Sequence, residues 1–331
     1  MDINRRSFIS LTGAAGLAVL TAQGSQLASA APASGPVTID HAFGQTTIPA
    51  PPKRVVSAGF TEQDDLLAVG VVPIATTAWW GDEPFEVWPW ARPKLGNAQP
   101  TVLSIYSDAG FEFDRIAALN PDLIVATNAG VDQDKYNRLS AIAPTIPQSA
   151  GQPPFFEPWQ VQANTIGQAV FKAGEMASLV SAAERKLTDV ARANPQFAGK
   201  TVQMMQGTFF DDGAWATLPG WRTNFLTDMG LVVPDTLRAF TFDDHRAFIP
   251  RDQVAAALGG VDILIWTTQS PEDQAGLLAE PSVQQLNAAS PNRSVYTGRN
   301  LAAAIAFSSP LSLPVVADQL PPLLKTAVIT A

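Results

Sequence analysis

Tryptophan and arginine fall in this chain where short apolar runs give way to loops. Trp79, Trp80, Trp88, Trp90, Trp215, Trp221 and Trp266 lie in such stretches, and Trp159 alone stands apart, beside a long helical pattern. An indole offers a flat apolar body of about 150–250 Å² and a single N–H. Arg222, Arg246 and Arg299 join them in the second half, and a guanidinium grips carboxylate or chelate oxygens through two parallel N–H bonds. Tyr106 adds a phenolic hydroxyl ahead of a helix. Trp79, Trp80, Tyr106, Trp215, Trp221, Arg222, Arg246, Trp266 and Arg299 are therefore the candidate binding set, suited to a bulky, partly apolar ligand that carries oxygens. The competing role for each tryptophan is to cap a core, and for each arginine to form a surface ion pair.

Other chemistries find little support. The histidines are only two, His41 and His245, far apart, and there is no cysteine, so a zinc-type cluster of nitrogen, sulfur and carboxylate ligands is not expected. No G-x-S-x-G elbow occurs. Asp211 with Asp212 and Asp243 with Asp244 are adjacent acids in loops, more often solvated than catalytic, and an enzyme is not expected.

The elements that must position these residues come in two similar sets. The run FDRIAALNPDLIV (residues 113–125) sets an acid, Asp114, before an apolar helical stretch and then a buried-strand signature. The run DQVAAALGGVDILIW (residues 252–266) repeats that order, with Asp252 in the place of Asp114. Each is preceded by a matching strand, at residues 53–57 and 200–204. Strands alternating with helices in each half predict two α/β lobes with mainly parallel sheets, and ligands of such sheets sit beyond the carboxyl ends of strands. A hairpin is predicted over residues 37–48, helices over 61–69 and 132–142, and a strand over 71–75. From residue 159 to 193 apolar residues recur at three- and four-residue steps, a helical connector that Gly174 could divide. The expected segments are 1–30 as an export signal, 31–158 as the first lobe, 159–195 as the connector and 196–331 as the second lobe.

Composition bounds the rest. With 331 residues, 46% apolar and 15% charged, the chain has room for two cored domains. A net charge of −9 counts against nucleic-acid binding. Arg5, Arg6, Ser7, Phe8 and Ile9 resemble a twin-arginine export motif, followed by a short apolar stretch and the small-residue pattern Ala28, Ser29, Ala30 of a cleavage site. The expected location is the periplasm or cell envelope, without a cysteine-borne lipid anchor.

Taken in order, these segments resemble the substrate-binding proteins of ABC importers for iron chelates and cobalamin. The resemblance runs over about residues 37–325. It is carried by residues 39–48, PKRVV at 52–56, LAVGVVPI at 67–74, FDRIAALNPDLIV at 113–125, LSAIAPT at 139–145, the connecting helix, and IPRDQV at 249–254. It implies an α/β fold of two doubly wound lobes joined by one long helix, with the ligand cleft between the lobes. It further implies a monomer that takes a ferric siderophore as transported ligand, with no resident cofactor, and delivers it to an ABC permease dimer of the inner membrane. In the family one carboxylate per lobe docks on permease arginines, and Asp114 and Asp252 fall at those positions, as Asp where Glu is usual. Acids are also common in a first helical turn because they complement the helix dipole. Haem or cobalamin carriage, with Tyr106 or His245 as axial ligand, and a transporter-independent sensor or scavenger remain as alternatives.

Overall fold

A hairpin, β1 (Val37–His41) and β2 (Gly44–Ile48), leads into the first of two sheets in the computed structural model, which describes residues 35–105, 110–210 and 212–328. The export segment and Tyr106 lie outside the described residues. The first half continues as β3 (Val55–Ser57), α1 (Glu62–Ala68), β4 (Ala75–Thr77), α2 (Arg92–Leu95) and β5 (Thr101–Leu103). Then come α3 (Phe113–Ala118), β6 (Leu123–Ala126), α4 (Gln133–Ser140) and β7 (Thr145–Pro147). All five sheet strands are parallel, in the order β5-β4-β3-β6-β7. Every residue of β3 and β6 is buried, as expected of short strands covered on both faces. The order changes direction between β3 and β6, and that switch point opens a crevice at the strands' carboxyl ends. The strand predicted at 71–75 is displaced to Ala75–Thr77; Pro73 has no N–H to give to a ladder.

Two helices follow, α5 (Trp159–Ala169) and α6 (Ala173–Ala193). The break lies before Gly174, at Phe171, whose backbone is left-handed (φ +61°). Gly167 lets the two helices cross closely, because a Cβ there would stand 2.5 Å from Cβ of Met176. The buried face of α6 is Met176, Val180, Ala183, Leu187 and Val190, a run of alternating four- and three-residue steps. Met176 and Val180 pack into the first half's core, while Ala183, Leu187 and Val190 pack into the second's. At 21 residues the helix runs about 30 Å.

The second half holds β8 (Val202–Gln206), β9 (Gly213–Thr217), α7 (Asn224–Asp228), β10 (Thr241–Asp243) and β11 (Arg246–Pro250). It continues with α8 (Val254–Leu258), β12 (Ile263–Thr267), α9 (Pro271–Ala279), α10 (Pro281–Ala289) and β13 (Ser294–Tyr296). It ends in α11 (Gly298–Phe307) and α12 (Leu313–Val328). Its sheet, in the order β10-β11-β9-β8-β12-β13, is mixed and not mainly parallel. Strands β8, β12 and β13 are parallel, whereas β9, β11 and β10 each run against their neighbours. Short connections, such as Asp244 and His245 between β10 and β11, can only reverse the chain, since a parallel partner needs a long crossover. Among the described residues no helix is long and apolar enough to cross a membrane.

The corner between α11 and α12 returns to the first half. Leu311 packs with Leu67, Val87, Ala91 and Leu95, and Phe307 with Trp88. Ser309 Oγ donates to Asp64 Oδ2 on α1 at 2.7 Å, and Trp90 Nε1 donates to the same oxygen at 2.7 Å. The halves are thus joined by α6 and by this corner.

Candidate functional site

A cleft of about 380 Å³ is lined from both halves. The first half's wall starts at the carboxyl ends of β3 and β6, where Thr61 and Asn128 stand. Asn128 Nδ2 donates to Thr61 Oγ1 at 3.0 Å, and its Oδ1 accepts from Phe156 N at 2.9 Å. That bond holds Phe156 in a left-handed conformation (φ +55°) at the cleft. Trp79 and Trp80 complete an aromatic wall, Trp79 lying 5.2 Å from Phe60 in a stack and 5.5 Å from Phe156. Trp159 and Gln162, from the first turns of α5, also face the space.

The opposite wall comes from β8, β9 and β12 and from the end of α11. It presents Trp215, Trp221, Arg222, Arg246 and Thr267, with Ile305 and Phe307. Arg222 stacks on Phe156 across the cleft, its guanidinium carbon 4.4 Å from the ring centre, and on Trp221 at 5.1 Å. Its Nε is buried without a hydrogen-bond partner, and it forms no ion pair among the described residues. Burial, then the nearby Arg246 charge, pulls its pKa down to about 10, so it stays cationic at neutral pH. Arg246 lies over Trp215 at 5.0 Å and is paired with Asp243 at 2.7 Å.

Beneath the first wall sits a set of buried acids on α1. Glu62 Oε1 accepts from Asn128 N at 2.7 Å, and Gly59 leaves room for that carboxylate, since a Cβ there would stand 2.1 Å away. Burial raises the pKa of Glu62 despite these bonds. Burial also raises Asp64 to about 6, opposed by Ser309 and Trp90, and Asp65 well above its ordinary range, opposed by Gln162. Glu157, which lines the cleft, is pushed by burial to about 7. Among the described residues no group of three or more His, Cys, Asp or Glu side chains is placed to hold a metal.

Of the candidates read from the sequence, Trp79, Trp80, Trp215, Trp221, Arg222 and Arg246 meet in the cleft. Trp266 does not. It is fully buried with Leu264 in one core while Ile263 and Ile265 of the same strand enter another; the two-residue alternation of β12 turns it away from the cleft. Arg299 is also absent from the lining. It pairs with Glu83 of the first half at 3.0 Å, and Glu83 holds Arg92 as well. Arg299 therefore ties the halves together beside Trp88, over which it lies at 5.0 Å. His245 packs edge-on against Trp221 at 5.2 Å without lining the cleft. Asp114, in the first turn of α3, and Asp252, in a short 3-10 turn ahead of α8, are both exposed. Phe156, Glu157 and Gln162 are not among the residues the sequence singles out, and Trp159, which the sequence sets apart, also faces the cleft. The proline-rich loop around Phe155 and Phe156 was the signal available.

Residues 55–301 match the periplasmic binding protein family, and the chain belongs to it. It is a family of substrate-binding proteins, in accord with the two-sheet architecture. The chain is 30% identical over 174 residues, 51% of its length and 49% of the relative's, to the probable siderophore-binding lipoprotein YfiY of Bacillus subtilis (strain 168). It is 26% identical over 162 residues, 47% of each chain, to the petrobactin-binding protein YclQ of the same organism. The chain thus spans about half the length of the curated relatives it matches. Among solved structures, a periplasmic solute binding protein from Mycobacterium smegmatis str. MC2 155 is 56% identical. It superposes with a TM-score of 0.83 over 89% of this chain and 99% of that one. PiaA of Streptococcus pneumoniae TIGR4, solved with ferrichrome, shares the fold, with a TM-score of 0.72 at 24% identity over 89% and 99% of the two chains.

Proposed function

We propose that this protein captures a ferric siderophore in the cell envelope and delivers it to an ABC permease for iron uptake. The observation that carries this reading is Arg222, a cation without an ion-pair partner among the described residues, set between aromatic faces in a cleft of about 380 Å³. A buried cation without a partner is costly to fold around and becomes favourable when ligand oxygens supply the missing acceptors. The cleft volume lies in the range of small-molecule sites, and Trp79, Trp80, Trp215 and Trp221 suit the apolar flanks of a chelate. The names borne by the Bacillus relatives point the same way. The ferric chelate is cargo, with no resident cofactor invoked.

Several parts of the reading lie beyond the cleft. Export by the twin-arginine route rests on Arg5 and Arg6, and action as a monomer on the family resemblance. Docking on a permease dimer is assigned to the exposed Asp114 and Asp252, each placed at the start of a helical segment in its own half.

The test is a tryptophan-fluorescence titration, corrected for inner-filter absorption, with ferric hydroxamates, ferric catecholates, ferric citrate and haemin, and with iron-free chelators as controls. Saturable quenching by a ferric chelate at micromolar or lower concentration supports the proposal. Tight binding of haemin alone replaces it with haem carriage.

A further inference from the structure

Among the described residues three charged side chains line the cleft: Glu157 from the first half, and Arg222 and Arg246 from the second. Arg246 is neutralised by Asp243. Glu157 and Arg222 therefore face the space from opposite walls as charges without ion partners among the described residues.

Glu157 is 3% exposed and accepts from neutral donors, Ser149 N at 2.8 Å and Ser149 Oγ at 3.3 Å. Behind it lie two more acids. Asp65 is 1% exposed, and its Oδ1 has no hydrogen-bond partner. Its Oδ2 accepts from Gln162 Nε2 at 2.8 Å, and Gln162 itself lines the cleft. Glu62 acts electrostatically on both Glu157 and Asp65. No lysine or arginine pairs with any of the three among the described residues. Tying the loop through Ser149 needs an acceptor but not a charge, so the charge is surplus to that task. Burying a carboxylate without a cation is costly, and the cost is recovered when a cation arrives beside it.

We propose that Glu157 is the cation-accepting end of the cleft, so that the preferred ligand is a ferric chelate with a terminal ammonium, seated with that group at Glu157 and its oxygen-rich face at Arg222. This rests on the ferric siderophore reading and narrows it to a class of chelate. Fe(III) and its oxygen cage stay intact throughout; only non-covalent contacts form.

The experiment compares a ferric trihydroxamate bearing a free terminal amine with its N-acetylated form, which keeps the same iron cage and loses the charge. Calorimetric titration of the wild type at pH 8 is expected to favour the amine form by about tenfold. Glu157→Gln is expected to abolish that preference, read as the ratio of the variant's affinities for the two chelates falling to about one. The groups facing Glu157 are Ser149, whose hydroxyl also bonds Thr165, and the acids Glu62 and Asp65. In the wild type the preference should shrink from pH 8 to pH 5.5 as the acids take up protons and the amine stays charged. That series needs no variant to fold. Equal wild-type affinities for the two chelates, or a preference that survives in Glu157→Gln, overturns the proposal. Binding of another ferric siderophore but of neither trihydroxamate also overturns it and leaves the siderophore reading standing. Binding of no ferric chelate at all overturns both.

Discussion

Arg222 and Arg246 are three-dimensional neighbours with different prospects. Arg246 already has Asp243, whereas Arg222 has only ring faces among the described residues. Truncating the unpaired one should therefore cost more binding. Arg222→Met is expected to weaken ferric-chelate affinity by about tenfold to a hundredfold, and Arg246→Gln by less than about fivefold, as read by titration. Trp266 offers the opposite contrast. Trp266→Ala empties a fully buried site and should lower unfolding free energy by about 3–5 kcal/mol in denaturant melts, with chelate affinity retained in the folded fraction. Both tryptophan and arginine were visible in the sequence as binding candidates, but their side-chain directions were not. The alternation along β12 shows that Trp266 and Ile265 face opposite ways; it does not say which face meets the cleft. Glu157 was hidden for another reason, since its significance comes from Asp65 and Glu62, brought near it only by the fold.

At the scale of elements, the crossing of α5 and α6 depends on Gly167. Gly167→Val puts branched atoms where even a Cβ stands 2.5 Å from Met176, and should destabilise by about 1–3 kcal/mol or more in the same melts. Gly174→Ala, where nothing lies within 4 Å of the added atom, should be neutral or slightly stabilising, because it sits inside a helix. The connector was legible because Ile166, Val170, Val180, Leu187 and Val190 recur at helical spacing, although Ala173 and Ala177 on the same steps are exposed and Met176 and Ala183 take the buried places. Its break was not, because a left-handed Phe171 has no compositional signature while a glycine does. The α3–β6 unit was equally plain in FDRIAALNPDLIV. The antiparallel half of the second sheet was obscured because Trp215 reads as a loop residue, whereas it lies within β9.

For the whole molecule, the buried acids set a pH dependence of definite sign. Burial raises Asp64 to about 6 and Glu157 to about 7, above ordinary values of 3.8 and 4.5. The folded state therefore keeps protons that the unfolded chain releases, and the associated stability is full below about pH 4 and is lost as pH rises through 6 and 7. Glu112, Asp132 and Asp262 are shifted the other way, lowered chiefly by hydrogen bonds, so their contribution fades in stronger acid. Calorimetric Tm is expected to peak near pH 5 and to fall by several degrees by pH 8, with Asp64→Asn flattening the fall. Charge at the surface should act on transport and not on capture. Asp114→Lys with Asp252→Lys is expected to leave chelate affinity unchanged and to cut uptake by cells at least fivefold, measured with radioiron.

The helix α6 gives one end of its buried face to each core, Met176 and Val180 to one, Ala183, Leu187 and Val190 to the other. Neither half can lose its packing without stripping part of the helix on which its neighbour depends, and the α11–α12 corner repeats that dependence through Leu311 and Ser309. Unfolding should therefore be a single cooperative event across both lobes. Severed between the two sheets, neither fragment would retain a complete core, because each would lose the end of α6 and the corner contacts that its neighbour supplies.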